Sequence, residues 1–402
     1  MKIQIARRKV CIIMLIYLFL FATVLENYIS IFKWFDECFA LMAVFFFIKA
    51  NRYRKYELEL ILILLLFVVW TLISNVIFHY QNFIVALSDA FLNIKFWCTL
   101  YIGIEMSNTY KLEEYKVSIC RNIRFITVVF FVLFLLDNII GIFTPIIRDG
   151  LRSTHLFYWQ PTYLVAYSVW MIMIFISLDN SKQNYKYIIM LLILMCTTYR
   201  SKAIAAALLF ILIYYLAYMR KKKITFKTFL LILPIIILLG WNQIYWYFLS
   251  PIKGDSARNV LTWKSIEIAK NTFPFGSGFA TFASRLSGVY YSPLYDMYNL
   301  SKVNGLTRTD YGFISDSFWP MIISQNGFIG LILFISMLFI LYMKINRTRK
   351  YNINYYVACL MGLSYLLIAS MAESSFVHPI MMPIAWWFGL LIGKAQIEIS
   401  EL

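Results

Sequence analysis

The sequence predicts an all-α polytopic integral membrane protein, with about twelve transmembrane helices and one long extracytoplasmic loop that carries amphipathic helices. Three observations predict this class. Apolar residues make up 61% of the 402 positions and charged residues only 14%, whereas soluble domains have about 45–50% and about 25%. Apolar runs of span length recur along the whole chain, and basic clusters stand between alternate runs. A chain of this composition requires a lipid bilayer around it.

The apolar runs define the predicted spans, because a helix needs about 20 mostly apolar residues to cross a bilayer. They fall at residues 10–25, 31–48, 58–78, 83–104, 125–143, 161–178, 187–198, 203–219, 228–249, 318–343, 355–371 and 377–393. The first run follows a basic segment but lacks a cleavage site of small residues, which indicates an uncleaved span. We therefore expect a single transmembrane domain over residues 1–402.

Basic residues predict how these helices are oriented. Lysine and arginine collect on cytoplasmic loops, and here they cluster near residues 2–9, 49–55, 111–124, 182–186, 220–227, 344–350 and 394. With the N-terminus inside, each cluster falls on an inner segment, and both termini are cytoplasmic. The net charge of +17 is therefore explained by topology, and nucleic acid is not a predicted partner.

One long segment, residues 250–317, does not span and is predicted to lie outside, between the ninth and tenth spans. Its aromatic and proline content and its modest charge are typical of a small folded cap and not of a disordered linker. Asp255 or Ser256 can cap a helix that ends near Asn271, before Pro274 and Gly276. We expect this cap to cover the outer ends of the spans.

The predicted cap helix has one face of small side chains beside an arginine. That face carries Arg258, Thr262, Ser265 and Ala269. Such a face leaves a groove in which the guanidinium can meet a ligand, and a surface helix with an incidental arginine is the alternative. After the helix, Gly276 and Gly278 either let the backbone approach a ligand closely or form a tight turn. They are not a dinucleotide fingerprint, because no strand precedes them.

Two basic groups near the outer face are not explained by the orientation rule. Arg200 and Lys202 stand between the seventh and eighth runs without an acidic neighbour in sequence. An arginine in this position is suited to a phosphate, which its planar fork binds through two oxygens. Arg148 and Arg152 are candidates for a second clamp at a similar depth, or for a surface cluster of small energetic value around the acidic residue between them.

Acidic residues near the same face are candidates for proton transfer. Asp316 lies just before the tenth run, where a carboxylate can accept a proton from a sugar hydroxyl or cap the following helix. Glu373 and His378, in the short hairpin between the last two runs, offer a second acid and an imidazole. Asp89 and Lys95 in the fourth run do not face each other, so each is expected to pair with another span. No CxxC, DxD or histidine cluster indicates a metal, and no cofactor is predicted.

These motifs resemble the O-antigen polymerase and ligase superfamily (Wzy-like and WaaL-like proteins). The family's pattern of an arginine, a tryptophan, Pro-x-Gly-x-Gly and an aromatic residue is similar to Arg258, Trp263, the segment 274–278 and Phe282. Its basic residue at the outer end of a span resembles Arg200. Where ligases place a catalytic histidine, eleven residues before a glycine, this chain has Asp316, which favours a polymerase. The resemblance covers roughly residues 190–345.

The resemblance implies a metal-independent glycosyl transfer on the outer face of the bacterial cytoplasmic membrane. The glycan of one undecaprenyl-diphosphate-linked oligosaccharide passes to a hydroxyl of a second lipid-linked repeat, and undecaprenyl diphosphate leaves. Arg200 and Arg258 would stabilise the departing diphosphate, since fixed cationic donors bind the charge that develops in the transition state. Asp316 would deprotonate or orient the acceptor hydroxyl. The substrate-binding residues would be Arg148, Arg152, Lys202, Thr262, Gly276, Gly278, Glu373 and His378. The family also suggests a chain-length regulator and a flippase as protein partners.

Several other classes share part of this pattern. A lipid-linked oligosaccharide flippase or another transporter has a similar span count, but transporters usually show internal repeats, which this sequence lacks. An O-antigen ligase would need the missing histidine. A transferase that uses polyprenyl-monophosphate sugars tends to keep an acidic pair in its first outer loop, where Asp36 and Glu37 stand. A structural membrane partner is the remaining alternative.

Overall fold

The computed structural model describes residues 2–49, 55–110, 112–148, 150–220, 241, 245 and 256–401, and these are mostly helical. The α-helices are α1 (Lys2–Leu25), α2 (Phe35–Lys49), α3 (Lys55–Phe78), α4 (Phe83–Thr109), α5 (Leu112–Ile140), α6 (Pro161–Leu178), α7 (Lys182–Cys196), α8 (Ser201–Tyr214), α9 (Ala257–Asn271), α10 (Arg285–Val289), α11 (Leu294–Met297), α12 (Phe318–Thr348), α13 (Ile353–Ala369) and α14 (Met382–Glu401). Short 3₁₀ turns cover Ser30–Trp34 and Pro379–Met381, and a π-helical turn, Tyr215–Met219, extends α8. Strands β1 (Ile146–Arg148) and β2 (Leu151–Ser153) form an antiparallel hairpin between α5 and α6.

Eight helices in the described part of the chain are long and apolar enough to cross a membrane. They cover 7–25, 58–78, 83–109, 112–140, 161–178, 201–219, 318–348 and 379–398. All eight coincide with predicted spans, so the chain is a mostly helical membrane protein. Three further predicted spans correspond to the shorter helices α2, α7 and α13, of 15, 15 and 17 residues. The run at 228–249 lies outside the described residues, and the count of twelve stays a prediction.

Helix α5 begins well before the apolar run at 125–143 that predicted it. Helix α5 begins at Leu112, in a segment predicted as a basic inner loop. There Tyr115 and Ile119 are buried while Lys116 and Arg121 are exposed, so the basic residues occupy one face of a continuous helix. A hydropathy average over both faces misses such a segment, because it detects mean hydropathy and not amphipathicity.

Helix α6 forms the centre of the bundle. Nearly all of its residues are buried, as expected for a helix that is apolar on every side. It packs against α13 and α7, while α4 and α14 pack along much of their length. Gly103 of α4 lies against Gly389 of α14, and a Cβ on either glycine would overlap the facing backbone. Small residues at such a crossing let two membrane helices approach closely.

The predicted cap is folded over residues 256–317. Ser256 caps α9, which ends at Asn271 as predicted, and α9 packs on α12. The following segment inserts beside α12, where the backbone N–H of Gly278 donates to the Gln325 carbonyl at 2.8 Å. From the other side, the Asn75 amide of α3 hydrogen-bonds both the N–H and the carbonyl of Phe279, at 2.7 and 3.0 Å. Hydrogen bonds to both α3 and α12 therefore fix the position of the cap.

Candidate functional site

Four separate segments meet at one end of the bundle and bring charged side chains together. The first is the junction of α7 and α8, where Tyr199 has left-handed backbone geometry (φ 49°) and Arg200 precedes the first turn of α8. The β-hairpin supports this junction, because the Thr154 N–H donates to the Thr197 carbonyl at 3.0 Å and the Ser153 hydroxyl donates to the Thr198 carbonyl at 2.7 Å. Arg200 and Lys202 are therefore presented from a fixed turn.

Two ion pairs join these segments. Arg258, in the first turn of α9, contacts the Asp316 carboxylate at 3.0 Å. Lys202 contacts the Glu373 carboxylate, in the turn after α13, at 2.8 Å. Asp316 also interacts electrostatically with Arg200 and Lys202, so the two pairs and Arg200 form one group. We call these five residues the charged cluster; it holds three cations and two anions.

The turn after α13 fixes the two acids of the charged cluster relative to each other. The Ser374 hydroxyl donates to the Ser315 carbonyl at 2.8 Å. The Phe318 N–H donates to the Ser370 carbonyl at 3.2 Å, and the Trp319 indole N–H donates to the Ser370 hydroxyl at 3.0 Å. These three bonds tie the residues around Asp316 to those around Glu373, so the two segments that carry the carboxylates are held together.

Asp316 is not the cap of α12. Ser317 occupies the N-cap position, without a side-chain capping bond, and the Asp316 carboxylate is directed to Arg258 instead. Burial raises the pKa of Asp316, and the attraction of Arg258, Lys202 and Arg200 only partly offsets that rise. A carboxylate that binds its proton more tightly than usual is a better proton acceptor than an exposed aspartate.

A second group of polar residues lies beside the charged cluster. Lys95 of α4 forms ion pairs with Asp36 and with Glu37 of α2, the latter at 3.5 Å, which confirms that Lys95 pairs with another helix. His378 interacts electrostatically with both Lys95 and Lys202, and therefore connects this group to the charged cluster. The acidic pair predicted for the first outer loop is thus engaged by Lys95.

Asp89 was expected to pair with another span, and it does so through the side chain of Gln325 in α12 and not through a cation. Its carboxylate accepts a hydrogen bond from the backbone N–H of Ala280 at 2.7 Å, in the cap. Ser284 and Gln325 also donate to it. A buried carboxylate can be satisfied by backbone and neutral donors as well as by a cation, and here it holds the cap on α4.

The predicted second clamp has a protein partner. Arg152 of β2 pairs with Asp137 of α5 at 2.6 Å and donates to the Phe143 carbonyl at 2.7 Å. Arg148 lies on the facing strand β1. The surface-cluster alternative placed the acid between the two arginines, whereas the acid that Arg152 contacts comes from α5. A phosphate-binding role for Arg148 and Arg152 stays a prediction.

The groove expected along α9 is not present. Ser265 and Ala269 are buried, and α9 packs on α12, so the small side chains bring two helices together. The Thr262 hydroxyl donates to the Arg258 carbonyl within the same helix at 2.7 Å. Only the first turn of α9, with Arg258, contributes to the charged cluster.

Gly276 and Gly278 lie in close contact with protein atoms. A Cβ on Gly276 would overlap the backbone of Gln325, Asn326 and Gly327, and a Cβ on Gly278 would meet the Asn75 amide. Both glycines have positive φ, 86° and 96°. These contacts explain both glycines by packing, and their assignment to substrate binding stays a prediction.

The sequence did not indicate every polar group that adjoins the charged cluster. Tyr365 of α13 is buried and interacts electrostatically with Glu373, but it lies within an apolar run that carries no local signal. Across the described ranges, no group of three or more His, Cys, Asp or Glu residues is placed to hold a metal ion. No protein-family model and no curated protein sequence matches the chain.

Proposed function

We propose that the chain is a polysaccharide polymerase, a glycosyltransferase that joins undecaprenyl-diphosphate-linked repeat units. The observation that supports this proposal is the charged cluster itself. Arg200, Arg258 and Asp316, which the family resemblance assigns to catalysis, come from three distant parts of the sequence and lie within electrostatic range of one another. An excess of cations beside a proton acceptor, at one end of a membrane bundle, is suited to a lipid-linked diphosphate.

The cations of the charged cluster would bind the diphosphate of the donor. Arg200 and Arg258 offer planar guanidinium groups that can each hold two phosphate oxygens. Charge builds on the diphosphate as the bond to the sugar breaks, and donors fixed in advance stabilise that charge more in the transition state than in the ground state. Lys202 adds a third positive charge from the same turn of α8.

The bound diphosphate would also free Asp316 from its ion pair with Arg258, so that its carboxylate can act as the base. Arg258 and Asp316 neutralise each other in the absence of substrate, and a diphosphate competes with Asp316 for the same guanidinium. The acceptor oxygen forms a bond to the anomeric carbon, and the bond from that carbon to the phosphate oxygen breaks. Its electrons stay on the departing undecaprenyl diphosphate, and the acceptor proton passes to Asp316.

The test is a reconstitution of the purified chain with undecaprenyl-diphosphate-linked repeat units, followed on a polysaccharide gel. We expect a ladder spaced by one repeat. Arg200→Ala and Arg258→Ala should each lower the rate by about 10²–10³-fold, as the loss of one fixed donor does elsewhere. Arg258→Lys should also fail, because an ammonium cannot bind two oxygens in a planar fork. Lys264→Ala is the matched control, since Lys264 lies on the same helix and pairs with Glu267 at its exposed surface.

Two results would contradict the proposal. Polymerisation at the wild-type rate by either alanine variant would remove the assigned role of the charged cluster. Movement of the labelled lipid-linked sugar across a vesicle membrane, without any ladder, would identify a flippase in which the cluster is a binding site.

A further inference from the structure

The Lys202–Glu373 ion pair leaves one carboxylate oxygen unused. Glu373 Oε2 contacts Lys202 Nζ at 2.8 Å, and the two side chains are only 13% and 10% exposed. The other oxygen, Glu373 Oε1, is buried and has no hydrogen-bond partner among the described residues. Buried carboxylate oxygens are usually hydrogen-bonded, so this oxygen is available to a donor from outside the fold.

A buried phenol lies within electrostatic range of that carboxylate. Tyr365 is fully buried in α13, and its hydroxyl has no hydrogen-bond partner in the described part of the chain. It interacts electrostatically with Glu373 but does not hydrogen-bond to it. The hydroxyl of Ser317, which follows Asp316, is likewise buried and unpartnered within the described ranges. In the described part of the chain, these three polar groups without hydrogen-bond partners therefore belong to the charged cluster, follow it in sequence or lie within electrostatic range of it.

The chemistry of these groups selects a neutral hydroxylated ligand. A carboxylate oxygen only accepts hydrogen bonds, while a phenol and an alcohol both donate and accept. A sugar hydroxyl can donate to Glu373 Oε1 and accept from Tyr365 at the same time. The diphosphate diester of the donor has no proton to offer at neutral pH and would be repelled by the carboxylate, so it is suited to the arginines of the charged cluster.

We propose that Glu373, Tyr365 and Ser317 form a subsite for a hydroxyl-bearing sugar, the acceptor saccharide, next to the diphosphate-binding arginines. This inference rests on the proposed polymerase function and divides its site into two halves. Lys202 joins them, because it pairs with Glu373 and interacts electrostatically with Arg200 and Arg258. The subsite would set which sugar is accepted, since a site with buried polar groups rejects ligands that leave those groups unpaired.

Tyr365→Phe is the decisive variant. It removes one oxygen that makes no hydrogen bond within the described protein, so a purely structural phenol would lose nothing. Ser168→Ala is the matched control, because the Ser168 hydroxyl is also buried and unpartnered among the described residues, but lies within α6. Glu373→Gln is a second variant, which keeps the size of the side chain and removes its charge.

The experiment applies the purified full chain to an array of neutral mono- and oligosaccharides, and separately titrates it with undecaprenyl diphosphate that carries no sugar. We expect the wild type to retain a defined set of glycans. Tyr365→Phe and Glu373→Gln should weaken that retention by about tenfold, while Ser168→Ala should leave it unchanged. Arg200→Ala should keep the glycans and lose the lipid diphosphate.

Unchanged glycan retention by Tyr365→Phe, or no retained glycan with the wild type, would overturn the subsite. The proposed function is judged separately. A polymer ladder together with wild-type behaviour of Tyr365→Phe would refute the subsite and keep the polymerase. Retained glycans that depend on Tyr365, without any ladder, would keep the subsite and refute the polymerase.

Discussion

Asp316 and Glu373 show how single residues keep three cations stable near a membrane. A buried cation without a counter-charge is costly, and removing one partner of a buried pair leaves that cost uncompensated. Each acid neutralises one neighbour, Arg258 or Lys202, at 3.0 and 2.8 Å. On the proposed function, the diphosphate would replace Asp316 as the partner of Arg258, so this acid neutralises the guanidinium until the substrate binds.

The raised pKa of Asp316 makes its effect on stability depend on pH. Because the folded-state pKa lies above the ordinary value near 4, the protonated form stabilises the fold. That contribution is complete below about pH 4 and is lost as the pH rises through the raised pKa. We therefore expect the unfolding temperature of the wild type to rise relative to that of Asp316→Asn as the pH falls from 7 to about 4, in melting curves recorded across that range. A difference that does not change with pH would contradict the raised pKa.

The same substitution should abolish most activity. Loss of a positioned base typically lowers the rate by about 10²–10⁴-fold, so Asp316→Asn should polymerise more slowly by about that factor in the ladder assay. In the wild type, the rate should fall on acidification at a pH above the ordinary aspartate pKa, and the variant should lack this acidic limb. An Asp316→Asn variant that keeps its activity would exclude Asp316 as the base.

At the scale of single residues, the sequence identified site candidates where a charged residue lies at the edge of an apolar run or at the start of a helix. Arg200, Arg258 and Asp316 each flank an apolar run or begin a capped helix, and for that reason they were candidates before the fold was known. Pairing was not predictable, because Lys202 and Glu373 meet only through tertiary packing. Tyr365 was not predictable either, since a phenol inside an apolar run looks like any other core residue.

Among the elements, the segment that follows α9 fixes the position of that helix, and therefore of Arg258, relative to α12. Helix α12 has a non-helical residue at Gly327 (φ 65°, ψ −172°), and Gly276 lies directly against that point. The kink gives Gly276 room, and the contact fixes α9 relative to the start of α12. Arg258 and Asp316 belong to these two helices, so their distance depends on a pair of glycines that do not touch the charged cluster.

Gly276→Ala should therefore destabilise the protein more than the same change at Gly150. Both glycines have positive φ, 86° and 79°, so the backbone strain of an alanine is similar at the two sites. A Cβ at Gly276 overlaps the backbone of α12, whereas nothing lies within 4 Å of a Cβ at Gly150. Overpacking should add about 1–3 kcal/mol of destabilisation at Gly276, measured from the midpoints of thermal unfolding in detergent. Equal midpoints for the two variants would show that the contact with α12 is unimportant.

The hydropathy pattern predicted the existence of the helices better than it predicted where they begin and end. The cap helix α9 was predicted to begin after Asp255 or Ser256 and to end near Asn271, because its capping and stop signals are local, and the structure has Ser256 as the cap. Helix α5 was predicted too short, since its basic residues lie on one exposed face. The prediction of a ligand groove along α9 was wrong. Small residues are used for helix packing as well as for ligand binding, and the sequence alone does not distinguish these two uses.

For the whole molecule, the five residues of the charged cluster come from distant parts of the sequence and meet where the α7–α8 junction, the cap and the turn after α13 come together. Composition and apolar runs predicted a helical membrane protein, and eight apolar helices in the described residues support a mostly helical membrane protein. The β-hairpin that supports the α7–α8 junction was not predicted, since two three-residue strands leave no periodic signal. The twelve-span topology and the cytoplasmic termini remain predictions.

The most direct measurement is the affinity of the purified chain for undecaprenyl diphosphate without a sugar, compared among the wild type, Arg200→Ala, Arg258→Ala and Lys264→Ala. If the charged cluster is one anion site, the two arginine variants should each bind about 10–100-fold more weakly, as expected for a lost hydrogen bond to a charged group. Lys264→Ala, on the exposed face of α9, should bind like the wild type. Equal affinities for all four proteins would contradict the account, because the cations brought together by the fold would then have no common ligand.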